Sequence, residues 1–81
     1  MADPRARVLE DFVHSRLLGD RRRVVTPETR LASEGLVDSM GLVLLAAFVE
    51  ERFGVRIDDA DLRAGELETI AGILALVDRR R

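Results

Sequence analysis

The chain of 81 residues is 47% hydrophobic and 35% charged, which predicts one small globular domain and excludes collagen-like, mucin-like and fully disordered proteins. It has no cysteine and one histidine, which excludes disulfides, zinc fingers, thiolate catalysis and multi-histidine metal sites. The net charge of −2 combines +2 for residues 1–30, −7 for residues 31–78 and +3 for residues 79–81. The negative charge of residues 31–78 disfavours broad nucleic-acid binding.

The first predicted element is a helix over about residues 4–18. Asp3 followed by Pro4 is typical of a helix N-cap with proline at the first helical position. Gly19 is expected to end the helix, and His14 is expected at its surface or boundary. One apolar stripe follows helical spacing: Leu9, Phe12, Val13 and Leu17.

A long loop is predicted over residues 19–38, where helical periodicity fails. Its apolar residues, Val24, Val25, Leu31 and Leu36, indicate that it is fixed to the core. The Arg21–Arg23 run predicts a solvated segment, with contact to a partner as the alternative. Nucleic-acid binding is disfavoured because no aromatic side chains accompany these arginines.

The second helix is predicted over about residues 39–53, capped by Asp38 or Ser39 and ended by Gly54. The residues expected to face the core are Leu42, Leu45, Ala46, Val49 and Phe53. Five further residues make the helix apolar nearly all round: Met40, Val43, Leu44, Ala47 and Phe48. A domain of this size cannot cover such a helix completely, so part of it is expected to be exposed for binding.

The remaining chain predicts a short extended link at Val55–Ile57, a short helix at 59–63 capped by Asp58, and a last helix over about 69–79. An apolar stripe of Ile70, Ile73, Leu74 and Val77 defines that last helix, and Arg79–Arg81 is expected to be a frayed tail. Three long helices, one short helix and no strand pattern predict a single all-α domain over residues 1–81, a small four-helix bundle.

Neither a membrane-spanning segment nor a calcium site is expected. The longest apolar run, Leu42–Val49, is eight residues, far below the roughly 20 that span a bilayer. The N-terminus lacks an apolar signal region, so a cytoplasmic protein is expected. Asp58, Asp59 and Asp61 lack the glycine and terminal glutamate spacing of an EF-hand, which favours helix capping.

The residue of greatest chemical interest is Ser39, at the predicted start of the second helix. A serine there faces unpaired N–H groups and a partial positive charge, which suits a phosphate on its oxygen. The alternative is that Ser39 is only a helix cap. A Ser-His-Asp triad is unsupported, because no base lies near Ser39 in sequence and His14 lies on the first helix.

The run Glu34-Gly-Leu-Val-Asp-Ser-Met40, together with Phe53-Gly-Val55 at the end of the second helix, resembles the acyl carrier and peptidyl carrier protein superfamily. Asp38-Ser39-Met40 matches that family's attachment motif, and the resemblance covers nearly the full chain. It implies a non-catalytic carrier with the acyl-carrier-protein-like helical bundle. It implies no metal site and no catalytic residue in the chain.

The resemblance also implies a covalent 4′-phosphopantetheine arm on Ser39, with Asp38 as the motif acid that positions the serine. A phosphopantetheinyl transferase would attach the arm from coenzyme A with Mg²⁺, and the thiol of the arm would carry cargo as a thioester between separate enzymes. Such a carrier is expected to act as a monomer. The partners that the resemblance implies are this transferase and the enzymes that load and use the cargo. No nucleic acid and no membrane is expected among them.

The exposed side of the second helix is expected to bind these partners through Met40, Leu44, Ala47 and Glu51, called the partner face below. Fatty-acid carriers typically have acids on this helix, whereas Gly41 and Leu44 occupy the corresponding positions here. This difference favours a discrete carrier of secondary metabolism (polyketide, nonribosomal peptide or extender-unit supply). The run around Ser39 most resembles methoxymalonyl-type extender and D-alanyl carriers. The alternatives are a housekeeping fatty-acid carrier and a helical adaptor that never carries an arm.

Overall fold

The computed structural model describes residues 3–18 and 22–80, and within them all regular elements are helical. Helix α1 spans Pro4–Phe12 and continues as a π-helical turn over Val13–Leu17. Helices α2 (Ser39–Phe53), α3 (Asp59–Arg63) and α4 (Ile70–Arg80) follow. The predicted class, an all-α bundle of three long helices and one short one, is confirmed.

The start and end of the first helix have separate local causes. The Asp3 side chain accepts a hydrogen bond from the Arg5 N–H at 2.9 Å, which satisfies one unpaired donor of the first turn. At the other end the Leu18 N–H donates to the Val13 carbonyl at 3.0 Å, a five-residue step that defines the π turn. Gly19, the predicted stop, lies outside the described residues.

The core draws on α1 and its π turn, α2, α4, the long loop and the segment between α3 and α4. Its largest fully buried side chains are Leu9, Val13, Leu31, Leu45, Val49, Leu67, Ile70, Ile73, Leu76 and Val77. On α2, the five residues predicted to face the core all contact it. Leu45, Ala46 and Val49 are buried in it, whereas Leu42 and Phe53 pack against it and are only partly buried.

The long loop is fixed to the core mainly through contacts with the start of α4. The Leu31 N–H donates to the Glu68 carbonyl at 2.8 Å, and the Ala71 N–H donates to the Pro27 carbonyl at 2.9 Å. Val25 and Leu31 are buried as predicted, whereas Val24 is 76% exposed. The expectation for Val24 is wrong: Val25, and not its neighbour, is the residue of this segment that packs into the core.

The C-terminal arginines are not frayed where the structure describes them. Arg79 binds Glu66 at 2.8 Å, and Arg80 forms a two-pronged pair with the carboxylate of Asp61 at 2.7 and 2.8 Å. Arg80 also donates to the Arg56 carbonyl at 2.8 Å. The predicted tail is therefore part of α4 through Arg80, because these contacts fasten its last turn to α3 and to the segments on either side of α3. Arg81 lies outside the described part.

Asp61, the partner of Arg80, is buried. Its carboxylate also accepts the Asp58 N–H at 2.9 Å, while Asp58 accepts the Asp61 N–H at 3.0 Å, so the two residues form a reciprocal cap on α3. The Arg80 guanidinium, followed by the backbone hydrogen bond from Asp58, lowers the pKa of Asp61 to about 2. The capping role predicted for these acids is thus accompanied by an ion pair that the sequence pattern did not indicate.

This ion pair predicts a pH dependence of stability. Because the folded pKa of Asp61 is depressed to about 2, its stabilising effect is complete above the unfolded value of about 4 and is lost as the pH falls from about 4 to 2. Arg80→Met is expected to melt below the wild type at pH 7, with the difference shrinking towards pH 2. Thermal melts followed by circular dichroism measure this, with Arg79→Met as control. A difference that is equal at pH 7 and pH 2 would contradict the prediction.

Candidate functional site

Helix α2 begins at Ser39, and Asp38 is the residue that caps it. Asp38 has an extended backbone, with φ −87° and ψ −176°, and its Oδ1 accepts the Gly41 N–H at 2.7 Å. Since Asp38 performs the capping, the Ser39 hydroxyl is not needed for it. The Ser39 side chain is exposed, and the described residues give its hydroxyl no hydrogen-bond partner.

The backbone around Ser39 offers further donors. The N–H groups of Ser39 and Met40 have no acceptor within residues 3–18 and 22–80, while that of Gly41 is bonded to Asp38. These donors and the positive end of a 15-residue helix stabilise negative charge nearby. A phosphodiester on Ser39 Oγ therefore fits this position: the hydroxyl is accessible, and two N–H groups of the first turn are available to its oxygens.

Gly41 faces inward, which corrects the interpretation of its position as part of the exposed side of α2. A Cβ atom at Gly41 would lie 2.6 Å from Val37 Cγ1, and Val37 is itself buried. Real Cβ atoms essentially never approach another atom so closely. The absence of an acid at this position is thus explained by packing against the end of the loop, and it carries no information about partners.

The partner face is exposed in the structure. Met40 is 65% exposed and Leu44 is 50% exposed, and Ala47 and Glu51 are exposed one and two turns further along α2. Val43 is 51% exposed and belongs to the same surface, although the predicted face does not include it. Its helical spacing from Met40 and Ala47, three and four residues, is the signal that could have identified it.

The other candidate residues do not converge on Ser39. His14 lies half-buried in the π turn after α1. Of the Arg21–Arg23 run, Arg21 lies outside the described residues, and Arg23 forms an exposed ion pair with Glu34 at 3.2 Å. Across the described ranges, no cluster of histidine and acidic side chains is arranged to bind a metal ion, and no helix is long and apolar enough to cross a membrane.

Two comparisons with known proteins show which family the chain resembles in sequence. The family model described as "Phosphopantetheine attachment site" matches residues 13–77, from the π turn to near the end of α4. An acyl carrier protein of Thermotoga maritima is 35% identical over 66 residues, which cover 82% of this chain and 79% of that protein. No solved structure matches the chain significantly.

Proposed function

The chain belongs to the phosphopantetheine-binding family of acyl carrier proteins, and on that premise we propose that Ser39 is the residue that carries the arm. A protein of this family is a non-catalytic carrier that a phosphopantetheinyl transferase modifies. The bound arm supplies a thiol, which holds cargo as a thioester. This chain has no cysteine of its own, so the arm would be its only source of such chemistry.

The free hydroxyl of Ser39 is the observation that supports this assignment. The chain has two other serines, Ser15 and Ser33. The Ser15 hydroxyl donates to the Asp11 carbonyl at 2.6 Å, and Ser33 lies in the loop with its N–H bonded to Glu68. Only Ser39 among the three combines an exposed hydroxyl with unpaired N–H groups at the first turn of a helix.

The proposed modification makes one bond and breaks another. Ser39 Oγ bonds to the phosphorus that bears pantetheine, the pyrophosphate bond of coenzyme A breaks, and adenosine 3′,5′-bisphosphate leaves with the serine proton released. Asp38 contributes by holding the first turn of α2, so that Ser39 remains exposed and in one position. The chain acts as a substrate in this step, because the transferase supplies the catalytic groups.

Intact mass spectrometry tests the proposal. The purified chain, incubated with coenzyme A, Mg²⁺ and a broad-specificity transferase, is expected to gain the mass of one phosphopantetheine, and peptide mapping is expected to place it on Ser39. An unmodified chain, under conditions that convert a control carrier fully, would favour the helical adaptor. A modification mapped to Ser15 or Ser33 would contradict the assignment of the site.

We further propose that this carrier serves secondary metabolism and that its partners bind the partner face mainly by apolar contact. Met40 and Leu44 supply exposed apolar surface close to Ser39, where the cargo-handling enzymes must approach. Acids on the face are confined to its far end, at Glu51. With position 41 explained by packing, Leu44 is the residue that distinguishes this face from the acidic one typical of fatty-acid carriers.

Substitutions of Leu44 test the apolar character of the partner face. Leu44→Ala is expected to slow cargo loading about tenfold, because truncating an apolar anchor commonly costs at least 1–2 kcal/mol at an interface. Leu44→Glu is expected to slow it further. The loading rate by the cognate enzyme is measured at low and high salt, with Ala75→Glu on α4 as control. Normal loading of Leu44→Glu, or wild-type loading that collapses in salt, would show that the contact is electrostatic or lies elsewhere.

A further inference from the structure

Glu68, just before α4, holds the loop that leads to Ser39 at two points. Its carbonyl accepts the Leu31 N–H at 2.8 Å, and its side-chain Oε1 accepts the Ser33 N–H at 2.9 Å. Leu31 is completely buried, whereas Glu68 is half-buried. Only the bond to Ser33 can be altered by a substitution of Glu68, because the bond to Leu31 is made by the backbone.

The segment that Glu68 holds closes on itself over residues 31–37 and is called the 31–37 turn below. The Leu31 carbonyl accepts two hydrogen bonds at 3.0 Å, from the Leu36 N–H and from the Val37 N–H. Gly35 has φ +71°, a conformation that glycine adopts readily, and it lets the chain double back. The place of Val37 is therefore set relative to Leu31.

Val37 connects this turn to the start of α2. It is buried, and its Cγ1 fills the space beside Gly41 where a Cβ atom would otherwise lie. The next residue, Asp38, accepts the Gly41 N–H at 2.7 Å. Ser39 thus follows two residues that both contact Gly41, so a displaced 31–37 turn would either move Ser39 or break the cap on its helix.

The position of the Ser39 hydroxyl depends on this backbone path. The side chain is exposed, and none of the described residues forms a hydrogen bond with the hydroxyl. No side-chain contact in that part of the chain therefore fixes the oxygen, and its place follows from Val37, Asp38 and the turn before them. A contact that fixes the turn also fixes the oxygen.

We propose that Glu68 is a positioning residue for the attachment of the arm, and that its side chain, acting through the 31–37 turn, holds Ser39 where the transferase recognises it. The inference rests on the proposed attachment to Ser39. Glu68 supplies no catalytic group. Without its hydrogen bond to Ser33, the turn takes up several positions, and only the fraction of molecules with Ser39 in place binds the transferase productively.

Two substitutions of Glu68 separate the reach of the side chain from its charge. Glu68→Gln keeps the length and an acceptor oxygen but loses the charge, whereas Glu68→Asp keeps the charge and is one methylene too short to reach the Ser33 N–H. The KM and kcat of a broad-specificity transferase for each carrier are measured by intact mass at saturating coenzyme A.

Glu68→Asp is expected to raise KM about fivefold with kcat unchanged, which corresponds to about one-fifth of the molecules holding the turn in place. Glu68→Gln is expected to keep the wild-type KM. In Glu68→Asp the amide resonances of Val37 and Gly41 are expected to shift, because the start of α2 follows the turn. Circular dichroism verifies that each variant is folded.

Glu66→Asp is the matched control. Glu66 lies in the same segment before α4 and is also half-buried, but its carboxylate pairs with Arg79 instead of the loop. It is expected to leave KM and the resonances of Val37 and Gly41 as in the wild type. A loss of stability alone would affect both variants without this selective change in KM.

Three results would overturn the positioning role of Glu68 alone. The first is an unchanged KM for Glu68→Asp, or a rise that Glu66→Asp shares. The second is a KM raised by Glu68→Gln as much as by Glu68→Asp, which would show an effect of charge. The third is a Glu68→Asp chain that does not fold, which would limit Glu68 to a role in the fold. A wild type that gains no arm on Ser39 would overturn the attachment site as well.

Discussion

Ser39→Ala is expected to gain no phosphopantetheine at all, whereas the wild type is converted completely. The reason is chemical, since alanine has no oxygen to bond to phosphorus. The side chain is exposed and its hydroxyl makes no hydrogen bond with the described residues, so its removal leaves no unsatisfied group. Asp38 still caps the helix, and the variant is expected to melt close to the wild type.

Ser33→Ala is the matched control for this experiment, because Ser33 is also an exposed serine, in the loop that precedes α2. It is expected to be modified at the wild-type rate. Intact mass after a fixed incubation measures all three proteins, and circular dichroism verifies that each is folded. If Ser39→Ala still gained one arm, the attachment would lie on another hydroxyl, and the assignment of the site would fail.

Leu45→Ala is expected to destabilise the domain by about 2–5 kcal/mol, the usual cost of removing a large buried side chain. Leu45 is completely buried, and a small domain has little stability to lose, on the order of 5 kcal/mol. At the upper end of this range the variant would be partly unfolded at room temperature. Urea titration at fixed pH measures the free energy of unfolding.

The neighbouring residue provides the control. Leu44→Ala removes the same atoms from a side chain that is 50% exposed, so its free energy of unfolding is expected to change far less. Phe53→Ala, on the rim of the core, is expected to fall between the two because Phe53 is only half-buried. Equal destabilisation by Leu44→Ala and Leu45→Ala would mean that the inward face of α2 is wrongly assigned.

The class of fold could be predicted from the sequence because each helix carries its own signals. The caps at Asp3 and Asp58 and the apolar stripes of α1 and α4 are local patterns, and they are present in the structure. Contacts between distant segments carry no such signal. The pair of Asp61 with Arg80 joins residues 19 positions apart, so Arg79–Arg80 could not be distinguished from a frayed tail by periodicity.

In the candidate site, too, the features with a local sequence signal could be predicted, and those that depend on contacts between distant segments could not. Ser39 and Asp38 could be identified from a short motif at a predicted helix start, since the motif and the helix are both local. The inward orientation of Gly41 depends on Val37, whose position is set by the loop, and was therefore interpreted wrongly. The groove that Arg16 and Glu51 both line, between α2 and the π turn, depends on how two helices pack, and the sequence spacing of these residues does not indicate it.

The contact between Gly41 and Val37 restricts how this carrier could be re-engineered towards partners that prefer an acidic helix. Residues 41 and 37 share one space, so their substitutions should not be additive. Gly41→Asp fits only if Val37 is first replaced by a smaller residue. An acid in place of Leu44 needs no second substitution, since the Leu44 side chain already points outward. Packing therefore sets the order of the substitutions. An acid can replace Leu44 alone, whereas an acid at position 41 requires a second substitution, at Val37.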